Sequence, residues 1–119
     1  MKKILVVDDN EMNLEISSSI LEENGYLVVE AKDGYEAINK YNNEDNINLV
    51  LLDILMPGLS GYDVAKTIRK IDKMTPILAF TANSSLADRQ MIFESGMNDC
   101  VYKPIKVDIL LKKIKELLK

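Results

Sequence analysis

The sequence contains no histidine, no tryptophan and one cysteine in 119 residues. Without histidine, the chain cannot carry a Ser-His-Asp or Cys-His catalytic group, a histidine metal site or a phosphohistidine of its own. The single cysteine, Cys100, excludes an internal disulfide and a multi-cysteine zinc site, and it suits a protein of the reducing cytosol. Carboxylates, hydroxyls and lysines therefore remain as the groups that carry any chemistry.

Long apolar runs and an excess of positive charge are also absent. The longest apolar runs, such as residues 77–80, are too short to cross a bilayer, so we expect no membrane partner. The N-terminal apolar run stops at Asp8, and we therefore expect no signal peptide. The net charge of −4 argues against direct binding of nucleic acid. The length predicts a single domain over residues 1–119.

Five short apolar runs alternate with five segments of helical periodicity. The runs cover residues 4–7, 27–30, 49–52, 77–80 and 100–102, and most are continuous, which is typical of parallel strands covered on both faces. The apolar positions at helical spacing are Met12, Ile16 and Ile20; Ala37, Ile38 and Tyr41; Val64, Ala65 and Ile68; Ala87 and Met91; and Val107, Leu110, Leu111, Ile114 and Leu118. This alternation predicts an α/β fold, a (βα)₅ doubly wound parallel sheet.

Several glycines and polar residues punctuate this pattern. Asn10 is placed to cap the first helix, and Gly25 and Gly96 lie where helices should end. Pro57, Gly58 and Gly61 interrupt the chain between the third strand and its helix. The predicted helix and strand boundaries are therefore supported by local chemistry as well as by periodicity.

Polar residues follow four of the predicted strands. Asp8 and Asp9 follow strand 1, and Asp53 follows strand 3. Thr81 ends strand 4, and strand 5 runs into Lys103. Ligands of open α/β sheets bind beyond the carboxyl ends of the strands, so these side chains should converge at one edge of the sheet.

Clustered carboxylates are costly unless a cation accompanies them. Two like charges about 4 Å apart, at an effective dielectric constant of about 20, repel each other by about 4 kcal/mol. A hard divalent ion relieves this repulsion, and Mg²⁺ suits a site with few carboxylates, several waters and an incoming phosphate oxygen. Lys103 and Thr81 then supply a positive charge and a hydroxyl donor. These parts match the needs of phosphoryl transfer to an oxygen nucleophile.

The motifs LVVDDN, LLDILMPGLSGYD, Thr81-Ala82 and Lys103-Pro104 occur in the order found in response-regulator receiver domains. The chain resembles that family over its whole length. The resemblance implies a flavodoxin-like sheet with strand order 2-1-3-4-5; this order is taken from the receiver domains that exemplify it and not from the residues. It also implies a phosphoacceptor switch of a two-component phosphorelay, which is a signalling module with Mg²⁺-dependent self-phosphorylation and autodephosphorylation.

The resemblance also implies roles for individual residues. Asp53 would be the phosphoacceptor and a metal ligand. Asp9 would bind Mg²⁺ directly, Asp8 mainly through water, and the backbone carbonyl of Leu55 would be a further ligand. Thr81 and Lys103 would hold the phosphoryl oxygens. The Lys103-Pro104 peptide bond should be cis, and Leu55 and Asn83 occupy positions that tune phosphate lifetime.

One position departs from the family pattern. Receivers usually carry an aromatic residue on strand 5, three residues before the lysine, and this residue couples to the threonine. Here Cys100 stands at that place, while Tyr102 directly precedes Lys103. Because side chains alternate along a strand, Tyr102 should lie on the same face as Cys100. A movement of the loop between predicted strand 4 and the helix after it, pulled by Thr81, remains the expected route for the signal.

The expected partners follow from the same resemblance. A sensor histidine kinase or a histidine phosphotransfer domain would supply the phosphoryl group. A downstream effector would read the switch at the surface formed by the fourth helix, the fifth strand and the fifth helix. Met56 and Leu59 are either exposed contacts for the donor or packed beneath Pro57. The opening DDNEMN resembles receivers attached to hybrid sensor kinases, so the chain is either a stand-alone regulator or part of a longer protein.

Three other functions are compatible with an α/β sheet of this kind. An aspartyl phosphohydrolase usually carries a second acid two residues after its nucleophile, where this chain has Leu55. A nucleotide or flavin binder needs a Gly-rich loop after strand 1, where this chain has Asp8 and Asp9. A phosphate-independent pseudo-receiver usually lacks an acid or the lysine, and all are retained here.

Overall fold

The alternating pattern forms ten elements in a computed structural model that describes residues 1–82 and 85–119. In chain order they are β1 (Lys3–Val7), α1 (Glu11–Glu23), β2 (Leu27–Ala31), α2 (Gly34–Asn43), β3 (Ile47–Asp53), α3 (Gly61–Ile71), β4 (Ile77–Thr81), α4 (Leu86–Glu94), β5 (Asp99–Tyr102) and α5 (Val107–Leu117). In the described residues, every helix is too short or too polar to cross a bilayer.

The five strands form one parallel sheet in the order β2-β1-β3-β4-β5. This order and the (βα)₅ architecture confirm the predicted fold class. Parallel pairing brings the carboxyl ends of β1, β3, β4 and β5 to one edge of the sheet. The strand order places the end of β3 between those of β1 and β4, so Asp53 lies at the middle of that edge.

Two apolar cores cover the two faces of the sheet. The core beneath α2 and α3 includes Ala37, Val64 and Ile68, and it receives Ile92 from α4. The core beneath α1 and α5 includes Leu14, Leu21, Leu110 and Ile114. The central strands β1, β3 and β4 are buried along most of their length, which explains their continuous apolar sequence.

The predicted apolar faces of α1 and α4 are wrong. In α1 the buried positions are Leu14, Ser17, Ser18 and Leu21, whereas Met12 is 71% exposed. Ile16 is also exposed. In α4 the buried position is Ile92, whereas Ala87 and Met91 are exposed. Both helices have apolar residues on more than one face, so periodicity alone could not identify the side that meets the sheet.

The predicted helix ends agree with the structure. The Asn10 side chain caps α1 by accepting a hydrogen bond from the Asn13 N–H at 3.0 Å. Gly25 and Gly96 follow α1 and α4 with φ of 89° and 100°, a conformation that favours glycine. Local capping chemistry therefore defines where these helices begin and end.

Candidate functional site

Three carboxylates meet at the carboxyl edge of the sheet. Asp8 and Asp9 directly follow β1, and Asp53 is the last residue of β3. One oxygen atom of each lies within 4.8 Å of the others. Asp8 is 2% exposed and Asp53 is 4% exposed, while Asp9 faces solvent. The convergence expected from strand topology is therefore present, and two of the three charges are buried.

Lys103 extends into this cluster from the end of β5. Its Nζ atom lies 3.2 Å from Asp53 Oδ1 and 3.7 Å from Asp8 Oδ2. The ammonium group also lies 5.2 Å from the centre of the Phe80 ring, whose π face favours a cation. The Lys103-Pro104 peptide bond is cis, as the resemblance implied. Phe80 was not predicted as part of the site, although its place next to Thr81 on β4 is a sequence signal that could have indicated it.

Thr81 lies at the same edge and is buried. It is the last residue of β4, and its backbone carbonyl accepts a hydrogen bond of 2.8 Å from the Lys103 N–H. Strands β4 and β5 are therefore joined directly beside the carboxylates. Asn83, which was predicted to tune phosphate lifetime, lies outside the described residues.

Burial makes the ionisation of Asp53 unfavourable. Removal from water, with a further contribution from the charge of Asp8, raises the Asp53 pKa from 3.8 to about 7. The nearby ammonium of Lys103 lowers this pKa but does not offset the burial. At neutral pH the site therefore holds an acid that is only partly ionised when no metal cation is bound.

The oxygens of the cluster fit a divalent cation. Asp8 Oδ1 accepts a hydrogen bond of 2.9 Å from the Asn10 N–H, but among the described residues buried Asp8 Oδ2 has no hydrogen-bond donor. Its nearest cation, Lys103, is too distant at 3.7 Å for a hydrogen bond. A buried carboxylate oxygen that accepts no hydrogen bond from the described residues, beside two further carboxylates, is the kind of oxygen ligand set that Mg²⁺ prefers.

The loop after Asp53 corrects one expectation. Met56 is buried and belongs to the core beneath α3, and Leu59 packs against the same core. Neither is the exposed donor contact that was one of two predicted possibilities; Leu55 is instead 72% exposed. The Leu55 carbonyl follows Asp53 by two residues, and its role as a metal ligand stays a prediction.

Two glycines hold this loop in position. Gly61 donates a backbone hydrogen bond of 2.8 Å to the Ile54 carbonyl, and a Cβ atom at Gly61 would collide with the carbonyl oxygen of Asp53. A Cβ atom at Gly34 would lie 2.6 Å from Leu59 Cβ. The sequence motifs predicted Gly61 as a chain break and not as part of the site; its position shortly after Asp53 was the available signal.

Comparison with known proteins defines the family. A family model described as the response regulator receiver domain matches residues 4–115. The chain belongs to this family. Receiver domains are modules of two-component signal transduction, so the resemblance drawn from the motifs is confirmed at the level of the family and its signalling class.

Individual relatives agree with this assignment. The chain is 40% identical over 116 residues to the CAI-1 autoinducer sensor kinase/phosphatase CqsS of Vibrio cholerae, covering 95% of this chain and 17% of that protein. It is similar to the crystal structure of chemotaxis protein CheY4 of Vibrio cholerae, with a TM-score of 0.95, 32% identity and 99% coverage of each chain.

A further solved structure is that of the response regulator protein TrrA of Thermotoga maritima in complex with Mg²⁺ and BeF, with 40% identity and a TM-score of 0.91. The match covers 99% of this chain and 100% of the TrrA chain. Receiver domains bind Mg²⁺ at an acidic pocket, and this receiver has the corresponding acidic cluster. The chain spans only 17% to 51% of the length of the first curated relatives that it matches.

Strand β5 of this receiver carries Cys100 and Tyr102, the two residues that depart from the family pattern. The Cys100 thiol and the Tyr102 hydroxyl are 3.4 Å apart, so the two side chains lie on the same face as predicted. Cys100 is buried as a free thiol, whereas Tyr102 is 37% exposed. Tyr102 pairs in register with Thr81 on the adjacent strand. The Tyr102 hydroxyl therefore lies next to the Cys100 thiol at the end of β5, and most of the Tyr102 side chain is covered.

Proposed function

We propose that this receiver is a phosphoacceptor switch, which takes a phosphoryl group onto Asp53 from a phosphohistidine of a partner protein in a Mg²⁺-dependent reaction. The partner is a sensor histidine kinase or a histidine phosphotransfer domain. The chain contains no histidine, so the donor nitrogen must come from another molecule or from a small phosphodonor. The chain is a signalling module and not an enzyme that turns over a separate substrate.

One observation carries this proposal. A buried carboxylate, Asp53, lies among two further acids and 3.2 Å from the Lys103 ammonium at the carboxyl edge of the sheet. Structural ion pairs do not need two additional acids, because each unpaired charge destabilises the fold. A nucleophile beside a cation site and a fixed positive charge is the set of groups that phosphoryl transfer uses.

The transfer step uses an Asp53 oxygen as the nucleophile. The ionised carboxylate attacks phosphorus, an O–P bond forms, and the N–P bond of the donor breaks with its electron pair returning to the imidazole nitrogen. The product is a mixed anhydride. Water later attacks phosphorus, which releases phosphate and restores the Asp53 carboxylate.

Asp8, Asp9, Asp53 and the Leu55 carbonyl would hold Mg²⁺ at this site. When bound, the ion neutralises the carboxylates and stabilises charge on the transferring phosphoryl group. The ammonium of Lys103 exchanges part of its contact with Asp53 for a phosphoryl oxygen, and the Thr81 hydroxyl donates a hydrogen bond to another. Meeting these new oxygens biases the connection between β4 and α4, which carries the signal to a downstream effector.

Exposed apolar side chains near the site provide a surface for the donor. Met12 and Ile16 of α1 are exposed, and a groove of about 480 Å³ between α1 and the segment after β5 is lined by Ile16, Lys103, Pro104 and Ile105. A protein donor that delivers a phosphoryl group to Asp53 must cover this groove, and the apolar groups there stabilise the complex between the two proteins.

The effector binds elsewhere, on the α4–β5–α5 surface. A groove of about 400 Å³ on that side is lined by Arg89, Tyr102, Ile109 and Lys113, among others. Apolar and charged groups together give such a surface both affinity and orientation.

We place the protein in the cytoplasm, where a buried free thiol such as Cys100 stays reduced.

Incubation with acetyl phosphate, with and without Mg²⁺, tests the proposal. We expect a mass increase of one phosphoryl group for the wild-type chain with Mg²⁺, and no increase for Asp53→Asn. Asp45→Asn is the matched control, because Asp45 is an exposed acid before β3, at the opposite end of the sheet. It should be phosphorylated like the wild type.

Two results would contradict the proposal. Labelling that persists in Asp53→Asn would move the acceptor to another residue. Release of many phosphates per chain from acetyl phosphate, at a rate typical of enzymes, would instead indicate a phosphohydrolase.

A further inference from the structure

Helix α4 is attached to the rest of the molecule unequally at its two ends. Ile92, near its C-terminal end, is fully buried, and Ser95 and Met97 just beyond the helix are also buried. Leu86, the first residue of the helix, is 84% exposed. Burial of apolar area therefore stabilises the C-terminal end much more than the N-terminal end.

Arg69 of α3 adds polar contacts at the C-terminal end of α4. Its guanidinium donates hydrogen bonds to the Gly96 carbonyl at 2.8 Å and to Asn98 Oδ1 at 2.9 Å. It also donates to the Asp72 carbonyl at 3.2 Å. Asn98 Oδ1 accepts a second bond of 2.8 Å from the Ile77 N–H at the start of β4. The segment after α4 is thus fixed to both α3 and the sheet.

The N-terminal turn of α4 contacts α3 through a weaker interaction. The Tyr62 hydroxyl donates a hydrogen bond of 3.4 Å to Asp88 Oδ1, whose other oxygen accepts a bond of 2.6 Å from the capping residue Ser85. Burial and the charge of Asp88 raise the Tyr62 pKa, so the hydroxyl stays protonated and remains a donor. Residues 82–85 connect this turn to Thr81.

We infer that Tyr62 is a positioning residue that holds the first turn of α4 in its unphosphorylated arrangement, while Arg69 fixes the segment directly after the last turn as a pivot. This inference rests on the proposed function and identifies which end of α4 responds to it. Phosphorylation that draws Thr81 toward Asp53 pulls on residues 82–85, and the first turn leaves Tyr62. The helix then rotates about its C-terminal attachment.

The energetic consequence has a definite sign. A contact that exists only in the unphosphorylated arrangement opposes the switch, so its removal favours the phosphorylated arrangement. A single neutral hydroxyl donor is worth enough to change that equilibrium about two- to tenfold. Tyr62→Phe should therefore increase the affinity for a phosphoryl mimic without altering any group at Asp53.

Binding of beryllofluoride in the presence of Mg²⁺ tests the inference by nuclear magnetic resonance. In the wild-type chain we expect large amide shift changes over residues 86–89 and small ones over residues 92–97. We expect Tyr62→Phe to bind beryllofluoride about two- to tenfold more tightly. Without the ligand, its Arg89 amide should exchange faster with solvent, while the Met97 amide is unchanged.

Tyr41→Phe is the matched control. The Tyr41 hydroxyl makes a bond of 2.7 Å to Thr75 Oγ1 just before β4, so this variant also loses one half-buried hydroxyl, but far from the first turn of α4. Its beryllofluoride affinity should equal that of the wild type.

The outcomes separate the two ideas. A wild-type chain that binds beryllofluoride, together with a Tyr62→Phe variant of equal or weaker affinity, overturns the inference alone. Shift changes as large at residues 92–97 as at residues 86–89 overturn the pivot even if the variant does not fold. A wild-type chain that ignores beryllofluoride at every Mg²⁺ concentration refutes the proposed function, and the inference fails with it.

Discussion

At the scale of single residues, Asp53 combines properties that oppose each other in an ordinary protein interior. It is almost completely buried, and Asp8 adds a second buried acid. Lys103 at 3.2 Å compensates only one of these charges. The site therefore stores unfavourable electrostatic energy, which a cation or loss of the Asp53 charge would release.

This imbalance predicts how stability depends on pH. Because the folded Asp53 pKa is raised from 3.8 to about 7, the folded chain holds a proton that the unfolded chain has released between these values. The contribution of Asp53 to stability is therefore lost as pH rises from about 4 to about 7. Asp53→Asn should be more stable than the wild type above pH 7, by up to about 4 kcal/mol without Mg²⁺.

Urea unfolding with a chelator, at about pH 5 and about pH 8, measures this effect. The gain in the free energy of unfolding from Asp53→Asn should be smaller at the lower pH, and Mg²⁺ should stabilise the wild type at the higher pH. Asp108→Asn alters an exposed acid of α5 and should leave the free energy of unfolding unchanged at both pH values. An equal pH dependence for Asp53→Asn and the wild type would contradict the raised pKa.

At the scale of elements, the connection between β3 and α3 depends on one close approach. The Gly61 backbone contacts the carbonyl of Asp53, where there is no room for a side-chain atom. The first turn of α3 therefore supports the backbone that carries Asp53. A change there should affect both folding and the shape of the site.

Gly61→Ala should destabilise the chain by about 1–3 kcal/mol, because its Cβ atom must displace the backbone of Asp53. We also expect weaker Mg²⁺ binding, measured by calorimetry. Gly25→Ala is the control: its φ of 89° is strained for alanine, but nothing lies within 4 Å of the new Cβ atom. It should lose stability and keep its Mg²⁺ affinity. If Gly61→Ala bound Mg²⁺ like the wild type, the loop would not be set by this contact.

Arg69 connects three elements at the opposite end of the sheet. Arg69→Met keeps the apolar stem but removes the hydrogen bonds to Gly96 and Asn98. We expect a loss of about 2 kcal/mol in the free energy of unfolding, measured with urea. Lys66→Met on the same helix changes an exposed cation and should cost less than about 0.5 kcal/mol. Equal effects would show that the Arg69 contacts contribute nothing.

At the scale of the whole molecule, the proposed donor surface lies next to the acidic cluster but is formed mainly by apolar side chains. Ile16 of α1 lines the groove beside Lys103 without contributing a polar group to the acidic cluster. Under the proposed function, a protein donor needs this surface, whereas a small phosphodonor reaches Asp53 directly. The two kinds of donor should therefore respond differently to a change at Ile16.

Ile16→Glu should slow phosphoryl transfer from a histidine phosphotransfer protein at least tenfold, because a charge replaces apolar contact area in the interface. The reaction with acetyl phosphate should be unchanged. Ile71→Glu is the matched control, because Ile71 is 53% exposed at the C-terminal end of α3. It should react normally with both donors. Equal slowing by both variants would remove α1 from the donor surface.

The amino-acid sequence determined the fold class and the location of the site. Continuous apolar runs alternating with amphipathic segments fit only a covered parallel sheet, and in such a sheet the strand ends must meet at one edge. The positions of Asp8, Asp9 and Asp53 after their strands therefore brought the acids together before any side chain was placed. The family motifs supplied the strand order, which periodicity does not encode.

Tertiary structure decided what depends on neighbours distant in the chain. The exposed face of α1, the burial of Met56 and the exposure of Leu55 follow from which surface each segment meets, and a local pattern contains no record of that surface. The raised Asp53 pKa and the unequal attachment of α4 are likewise sums over several elements. Sequence spacing sets the order of groups along the chain, whereas burial and charge depend on everything packed around them.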